Sequence, residues 1–300
     1  MVGKKFTFSQ LLLCIILGLF TLTILIPFLN ILARSLSDPA QSVGMSGLEI
    51  IPRGFSTINY QLIFRHPVFV RSIFNGLFIT FVGLFINMAL TITAAYALTR
   101  PKLVFKKTIL VFLICMMLFD PGIIPEYLTM MQLGLIGSQW SVILVMAVNV
   151  WNLIILMRIF NGVPHNVIES ATIDGANHFQ ILTKVMIPLA KPGIATITMF
   201  YAVARWNEFF RTGLYITSSR DTTLQVILRQ FVVLNDTFSI IGGGGAGGGA
   251  AGEFFEMLAR IDIVSLQNAT IIVALIPVFL FYPFVLRYYV KDIMGGSVKE

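Results

Sequence analysis

The stretch FYAVARWNEFF holds the densest run of polar and aromatic side chains in any apolar segment: Tyr201, Arg205, Trp206, Asn207 and Glu208. A second run, Asn149, Trp151 and Asn152, interrupts another apolar segment. Neither run pairs a nucleophile with a base. Ring faces beside amides and charges suit a different task, holding a hydroxyl-rich solute such as a carbohydrate. Polar side chains are costly against lipid, so these residues are expected to line a path through the interior of a membrane bundle. An unpaired Arg near the bilayer centre costs roughly 2.5 to 3.5 kcal/mol on insertion scales. A neutral sugar gives no reason to accept that cost at Arg205, whereas a uronate carboxylate does, with Glu208 one turn on as the resting partner. The plainer alternative is that Arg205 and Glu208, three apart, pair at the outer interface while Trp206 anchors it.

Other chemistry is excluded. His66, His165 and His178 form no metal spacing, and no H-E-x-x-H or G-x-S-x-G run occurs. The G-x-x-x-x-G-K-[ST] loop that cradles nucleotide phosphates is absent. Cys14 and Cys115 fall inside apolar runs and read as small buried hydrophobes rather than a disulfide. Asp120 and Glu126 read as interface residues rather than proton carriers.

The elements that must position these residues are set by composition. Apolar residues make up 57% of 300 and charged ones 12%, with mean hydropathy +0.87. A soluble domain carries about 25% charged residues, so lipid must be part of the solvent. Charge-free or nearly charge-free runs predict six spans: 6–33, 72–99, 108–119 continuing toward Met131, 140–157, 192–210 and 268–286. All nine Lys fall in 1–5, 100–107, 158–191 and 287–300, which together hold 12 Lys+Arg against 4 Asp+Glu. The remainder holds 9 Arg against 10 Asp+Glu. The positive-inside rule therefore places both termini in the cytoplasm. The +7 net charge is a topology signal, and without an aromatic-interleaved basic stripe no nucleic-acid partner is expected. The outer face then carries 35–70 and 211–267, the latter containing a flexible Gly-rich coil at 242–252.

One cytoplasmic segment, 161–191, is polar. Pro164 suits a helix start, and Val167, Ile168, Ala171 and Thr172 share a helical face. Glu169 and Asp174 lie off that face, and Gly175 sits where a left-handed residue would end the helix. A second helix follows, with Phe179, Leu182, Val185 and Met186 apolar, stopped by Pro188 and Pro192. A short helix pair at the membrane surface is predicted, its apolar stripe against protein and its acids free for a partner.

ESATIDGANHFQILTKVMIP, 169–188, resembles the signature loop of binding-protein-dependent ABC permeases. That pattern runs Glu-Ala-Ala, three residues, Gly, nine residues, Ile-x-Leu-Pro. Glu169, Ala171, Gly175 and Pro188 match; Ser170, Val185 and Ile187 are mild departures. IDGA at 173–176 is the form of the carbohydrate-uptake branch, and 124–140, 200–210 and 286–300 are similar to that branch as well. LQVILRQFVV at 224–233 looks most like permeases for plant or algal polysaccharide fragments.

The resemblance implies an all-α membrane protein: a single permease domain over 1–300, six transmembrane helices, the type I ABC importer fold and a cytoplasmic coupling helix. It implies a permease subunit, not an enzyme, in the bacterial cytoplasmic membrane. Its partners would be a second homologous permease, a cytoplasmic ABC ATPase dimer and an extracytoplasmic solute-binding protein. No cofactor is bound by this chain; ATP and Mg belong to the ATPase. Glu169, Ser170, Ala171, Asp174, Gly175 and Pro188 would couple to the ATPase, with Ala171 small enough for close approach. An ABC permease for another solute, or an ion-coupled secondary transporter, are the alternatives; the latter usually shows internal repeats, and none is found.

Overall fold

The computed structural model describes residues 8–234 and 262–296, with side chains described as far as 283. The described residues are almost wholly helical. By chain contacts they divide into two compact units, Met1–Val70 with Leu228–Ile276, and Arg71–Ile227 with Pro277–Glu300.

The helices are α1 (Phe8–Ser35), α2 (Ile58–Arg65), α3 (Pro67–Thr99), α4 (Lys106–Leu118), α5 (Ile123–Gln132), α6 (Gln139–Val145) and α7 (Val150–Asn161). After these come α8 (His165–Ile173), α9 (His178–Leu189), α10 (Lys191–Trp206), α11 (Phe210–Tyr215), α12 (Leu224–Val233) and α13 (Ile263–Gly296). Three of them, α1, α3 and α13, are long and apolar enough to cross a membrane alone. Three pairs pass only together, each bent at a short break: α4–α5 by 114°, α6–α7 by 48° and α9–α10 by 86°.

These bends correct the simple spans. The third does not run on to Met131, because Asp120 accepts the Gly122 N–H in a tight turn and Gly122 adopts φ 81. The fifth ends at Trp206 rather than Phe210, and 211–267 is not a plain loop, since α11 and α12 lie within it. The Gly-rich coil at 242–252 lies outside the described residues. Both cysteines are exposed on their helices rather than buried.

In the first unit, α1 exposes most of its length and buries only Ala33 and Ser35. Its C-terminal end is pinned: Arg34 reaches the Asp262 carboxylate at 3.1 Å, and Ser42 and Ser265 donate to the same oxygen at 3.1 and 2.8 Å. The 36–57 segment folds back through an antiparallel bridge between Ser37 and Phe55.

In the second unit, one apolar cluster joins the end of α3 (Ala95, Tyr96, Leu98) to α7 (Leu153, Leu156, Phe160), α8 (Ile168), α9 (Ile181, Leu182, Met186) and α10 (Ile197, Tyr201). Another gathers Ile79, Met130, Val142, Ile143, Tyr215 and Ile216. α4 buries none of its residues fully; Leu110 and Leu113 pack against the larger cluster and the rest of its apolar surface faces outward.

Candidate functional site

The polar segment folds into two helices whose connecting turn is closed by backbone bonds. α8 ends with Gly175 at φ 81. The Ala176 N–H reaches the Ala171 carbonyl at 3.0 Å and the Gly175 N–H the Thr172 carbonyl at 3.1 Å. That is the paired closure of a Schellman turn, in which a left-handed residue satisfies the last carbonyls. Asn177 and Gln180 then cap α9 reciprocally, each side chain accepting the other's N–H at 2.9 Å. Pro188 does not stop α9. The turn ahead of it, Ile181–Met186, widens to π geometry, with the Ile187 N–H bonded to the Leu182 carbonyl. A widened turn relieves the ladder just where proline can neither donate nor fit a regular turn. The helix breaks at Ala190, and Pro192 opens α10.

The pair stands on the second unit's larger apolar cluster. Ile168, Ile181, Leu182 and Met186 are buried, and Ala171 packs against the same cluster. Ala171 is thus half-buried against its own bundle, on the inward stripe that the helical spacing predicts. Glu169, Ser170, Asp174, Gly175 and Pro188 are exposed. So are Ile173 at 85% and Phe179 at 73%. Phe179 was expected on the inward stripe and is exposed instead, while its neighbour His178 turns to the bundle and meets Tyr96. Two large apolar side chains beside two carboxylates therefore form the free surface. Ile173, read only as part of IDGA, was missed for want of periodic neighbours.

The residues expected along a path divide into two groups. Tyr201, Arg205 and Trp206 are buried at 4%, 2% and 4% exposure. The Arg205 guanidinium donates from Nε to Asn87 Oδ1 at 2.8 Å, from Nη1 to the Val142 carbonyl at 2.9 Å and from Nη2 to the Ile143 carbonyl at 2.8 Å. The expected Arg205–Glu208 pair is not formed. Glu208 instead accepts the Arg211 N–H at 2.8 Å and faces the Arg211 guanidinium at 3.5 Å. Arg211 in turn forks onto Glu126 at 2.7 and 3.0 Å, and the Tyr215 hydroxyl donates to that carboxylate. Trp206 packs inward, its ring 3.3 Å from where a β-carbon on Gly76 would stand, so it is no interface anchor.

Asn149, Trp151 and Asn207 are exposed, and Asn152 is buried. Asn149 caps α7, its Oδ1 accepting the Asn152 N–H at 3.0 Å. Its own N–H donates to the Tyr201 hydroxyl at 2.9 Å, and Tyr201 also meets Thr91 at 2.9 Å. Asn87 and Thr91, both on α3, were missed because the span carries no charge and its polar residues are scattered among apolar ones. Arg211 and Tyr215 were missed because they lie past the end assigned to the fifth span. Among the described residues no His, Cys, Asp or Glu group could hold a metal ion.

No family model matches the chain. Among curated proteins it is similar to Protein LplC of Bacillus subtilis strain 168, 36% identical, covering 94% of this chain and 91% of LplC. It is similar also to YtcP of the same organism, a polygalacturonan/rhamnogalacturonan transport system permease protein. There the identity is 35% and the alignment covers 94% of each chain. A crystal structure of a bacterial ABC transporter involved in import of the acidic polysaccharide alginate contains a chain of the same fold. Its TM-score is 0.85 at 28% identity, covering 96% of this chain and 100% of that one. With the helical architecture above, these relatives settle the family: the chain belongs to the carbohydrate-import branch of ABC transporter permeases.

Proposed function

We propose that the chain forms half of the membrane pore of an importer driven by ATP hydrolysis on separate subunits, and that its solute is an acidic oligosaccharide. Six crossings are counted: α1, α3, α4 with its turn into α5, the α6–α7 pair, α10 and α13. The lysine distribution supports a cytoplasmic placement of both termini. A second, homologous permease supplies the other half, and an extracytoplasmic binding protein delivers the solute. The path runs past Asn149, Trp151 and Asn207, with Tyr201 and Arg205 behind as support rather than as ligands.

The observation that carries the reading is the closed helix pair α8–α9. It is seated on the bundle core through Ile168, Leu182 and Met186, yet leaves Glu169, Asp174, Ile173 and Phe179 free. Such a surface suits docking to a partner: apolar anchors to bury, carboxylates for basic groups at the rim. We assign it to the ATPase dimer, whose nucleotide-driven closure biases the bundle between inward and outward forms. ATP and Mg sit on that partner.

The acidic solute is supported by the relatives. One is named for polygalacturonan and rhamnogalacturonan, and the similar structure for alginate. Import into proteoliposomes by the full transporter tests it, with a uronic-acid oligomer and a neutral oligomer of equal length. Uronate import is the expected result; import of only the neutral oligomer overturns it.

A further inference from the structure

The fourth span is broken where the sequence holds neither Gly nor Pro and only Asn149, the N-cap of α7, marks the restart. Between α6 and α7 the chain leaves the helix at Met146 and re-enters it at Val150. The local sequence, VMAVNV over 145–150, contains neither Gly nor Pro. Sharp helix bends normally sit at Pro, at Gly or Ser pairs, at π turns, or where a side chain inserts into the ladder. Only the last is present here. Arg205 takes the Val142 and Ile143 carbonyls, and Asn87 Nδ2 takes those of Met146 and Ala147 at 2.6 and 3.0 Å. Arg205 and Asn87 are joined to each other through Nε and Oδ1. The Tyr201 hydroxyl receives the Asn149 N–H on the far side of the break. Backbone at membrane depth is tolerated outside a helix only when its polar groups are met in this way.

The clamp is built into the packing. Asn87 is 0% and Arg205 2% exposed. A β-carbon on Gly83 would stand 2.9 Å from Arg205 Cζ, so α3 is bare where the guanidinium lies against it. Beyond the break the chain turns by 48° and starts α7 with Asn149 and Trp151 outward, Trp151 being 61% exposed. Asn152, Leu153 and Leu156 then face inward.

We propose that Arg205 and Asn87 are positioning residues for transport: from α10 and α3 they hold the fourth span broken at Met146–Asn149, which aims Asn149 and Trp151 at the solute. The last step rests on the path reading above. Neither residue touches solute itself. The charge of Arg205 serves the carbonyl ends of α6, where a cation is favoured by the helix dipole as well as by hydrogen bonding.

The test uses rescue. Pro at the first position of a helix costs nothing and forces an extended residue before it, and Asn149 is already extended at φ −105, ψ 118. Val150→Pro therefore imposes the same break without the clamp. In proteoliposomes holding the complete transporter, Arg205→Met and Asn87→Leu should each lower import at least tenfold at unchanged assembly, as expected when positioned groups are released. Val150→Pro alone should import near the wild-type rate, and added to either clamp variant it should restore import to within about threefold. A clamp variant that imports normally, or that Val150→Pro fails to rescue in import or in assembly, overturns the proposal. Trp151→Ala separates the two readings: normal import there sinks the path assignment, while rescue by Val150→Pro leaves the clamp standing.

Discussion

The Tyr96 hydroxyl, near the end of α3, meets Nδ1 of His178, the first residue of α9, at 3.2 Å. The rings stand edge to face at 6.2 Å, and the Arg100 guanidinium covers the Tyr96 ring at 4.4 Å. Through this contact a span is tied directly to the exposed helix pair. A neutral hydrogen bond is worth about 1 kcal/mol, a factor of roughly five in a two-state equilibrium. Tyr96→Phe should leave assembly intact and reduce solute imported per ATP hydrolysed by about that factor, measured in proteoliposomes. His178→Ala should do the same, and the double variant should lose little more. Fully additive losses would show that the two residues act separately.

Gly175 turns at φ 81 with open space around it, since a β-carbon placed there would meet nothing within 4 Å. The demand there is conformational, not steric. Asn enters the left-handed region at small cost, whereas a β-branched residue pays about 1–2 kcal/mol. Gly175→Asn should support import near the normal rate. Gly175→Val should keep membrane assembly but uncouple hydrolysis from import, and the ratio of solute moved to phosphate released reports it.

Orientation is tested at two sites, one exposed and one half-buried. With Cys14 and Cys115 replaced, a cysteine at Leu48, in the 36–57 segment, should react with an impermeant thiol reagent added to intact cells. One at Lys106, the first residue of α4, should react only after lysis. The reverse pattern would turn the molecule over and take α8–α9 away from the cytoplasm.

The sequence made the helix pair legible, because the signals read there are local: a starting proline and a glycine turn; the Asn177–Gln180 cap, equally local, was not read. Helix content and the positions of the apolar runs were equally plain. The bends were not. The α4–α5 turn rests on a short Asp-Pro-Gly run that reads as readily as an interface. The α6–α7 break has one local signal, the Asn149 cap, and the groups that meet its freed carbonyls sit on α3 and α10, about sixty residues away in either direction. Arg205 shows the same limit. Its cost in a membrane was readable, but the neutral groups that meet that cost belong to other helices, so a carboxylate was sought instead.

Asp262 gathers Arg34, Ser42 and Ser265 around one carboxylate at the start of α13. Burial pushes its pKa up, but the Ser265 hydroxyl, the Arg34 guanidinium and the Ser42 hydroxyl outweigh that and hold it below the ordinary 3.8. A carboxyl depressed in the folded state contributes stability above its unfolded value, and loses it as pH falls through the folded value. Asp262→Asn should therefore lower the thermal midpoint by a few degrees at neutral pH. The gap from the native protein should close as the pH drops below 3.8, the ordinary value. A gap that persists unchanged in acid would mean that the carboxylate's charge is not what holds α1 there.

The 86° bend at Ala190 makes α9 and α10 a bell crank. One arm, α9 with its twelve residues, is about 18 Å long at 1.5 Å per residue. A swing of about 10° at the elbow carries the far end of that arm, beside Asn177, through about 3 Å. The other arm is the helix that holds Arg205, and a rigid elbow passes the same angle to it. On the clamp proposed above, a push on Phe179 would then tilt the helix that carries Arg205.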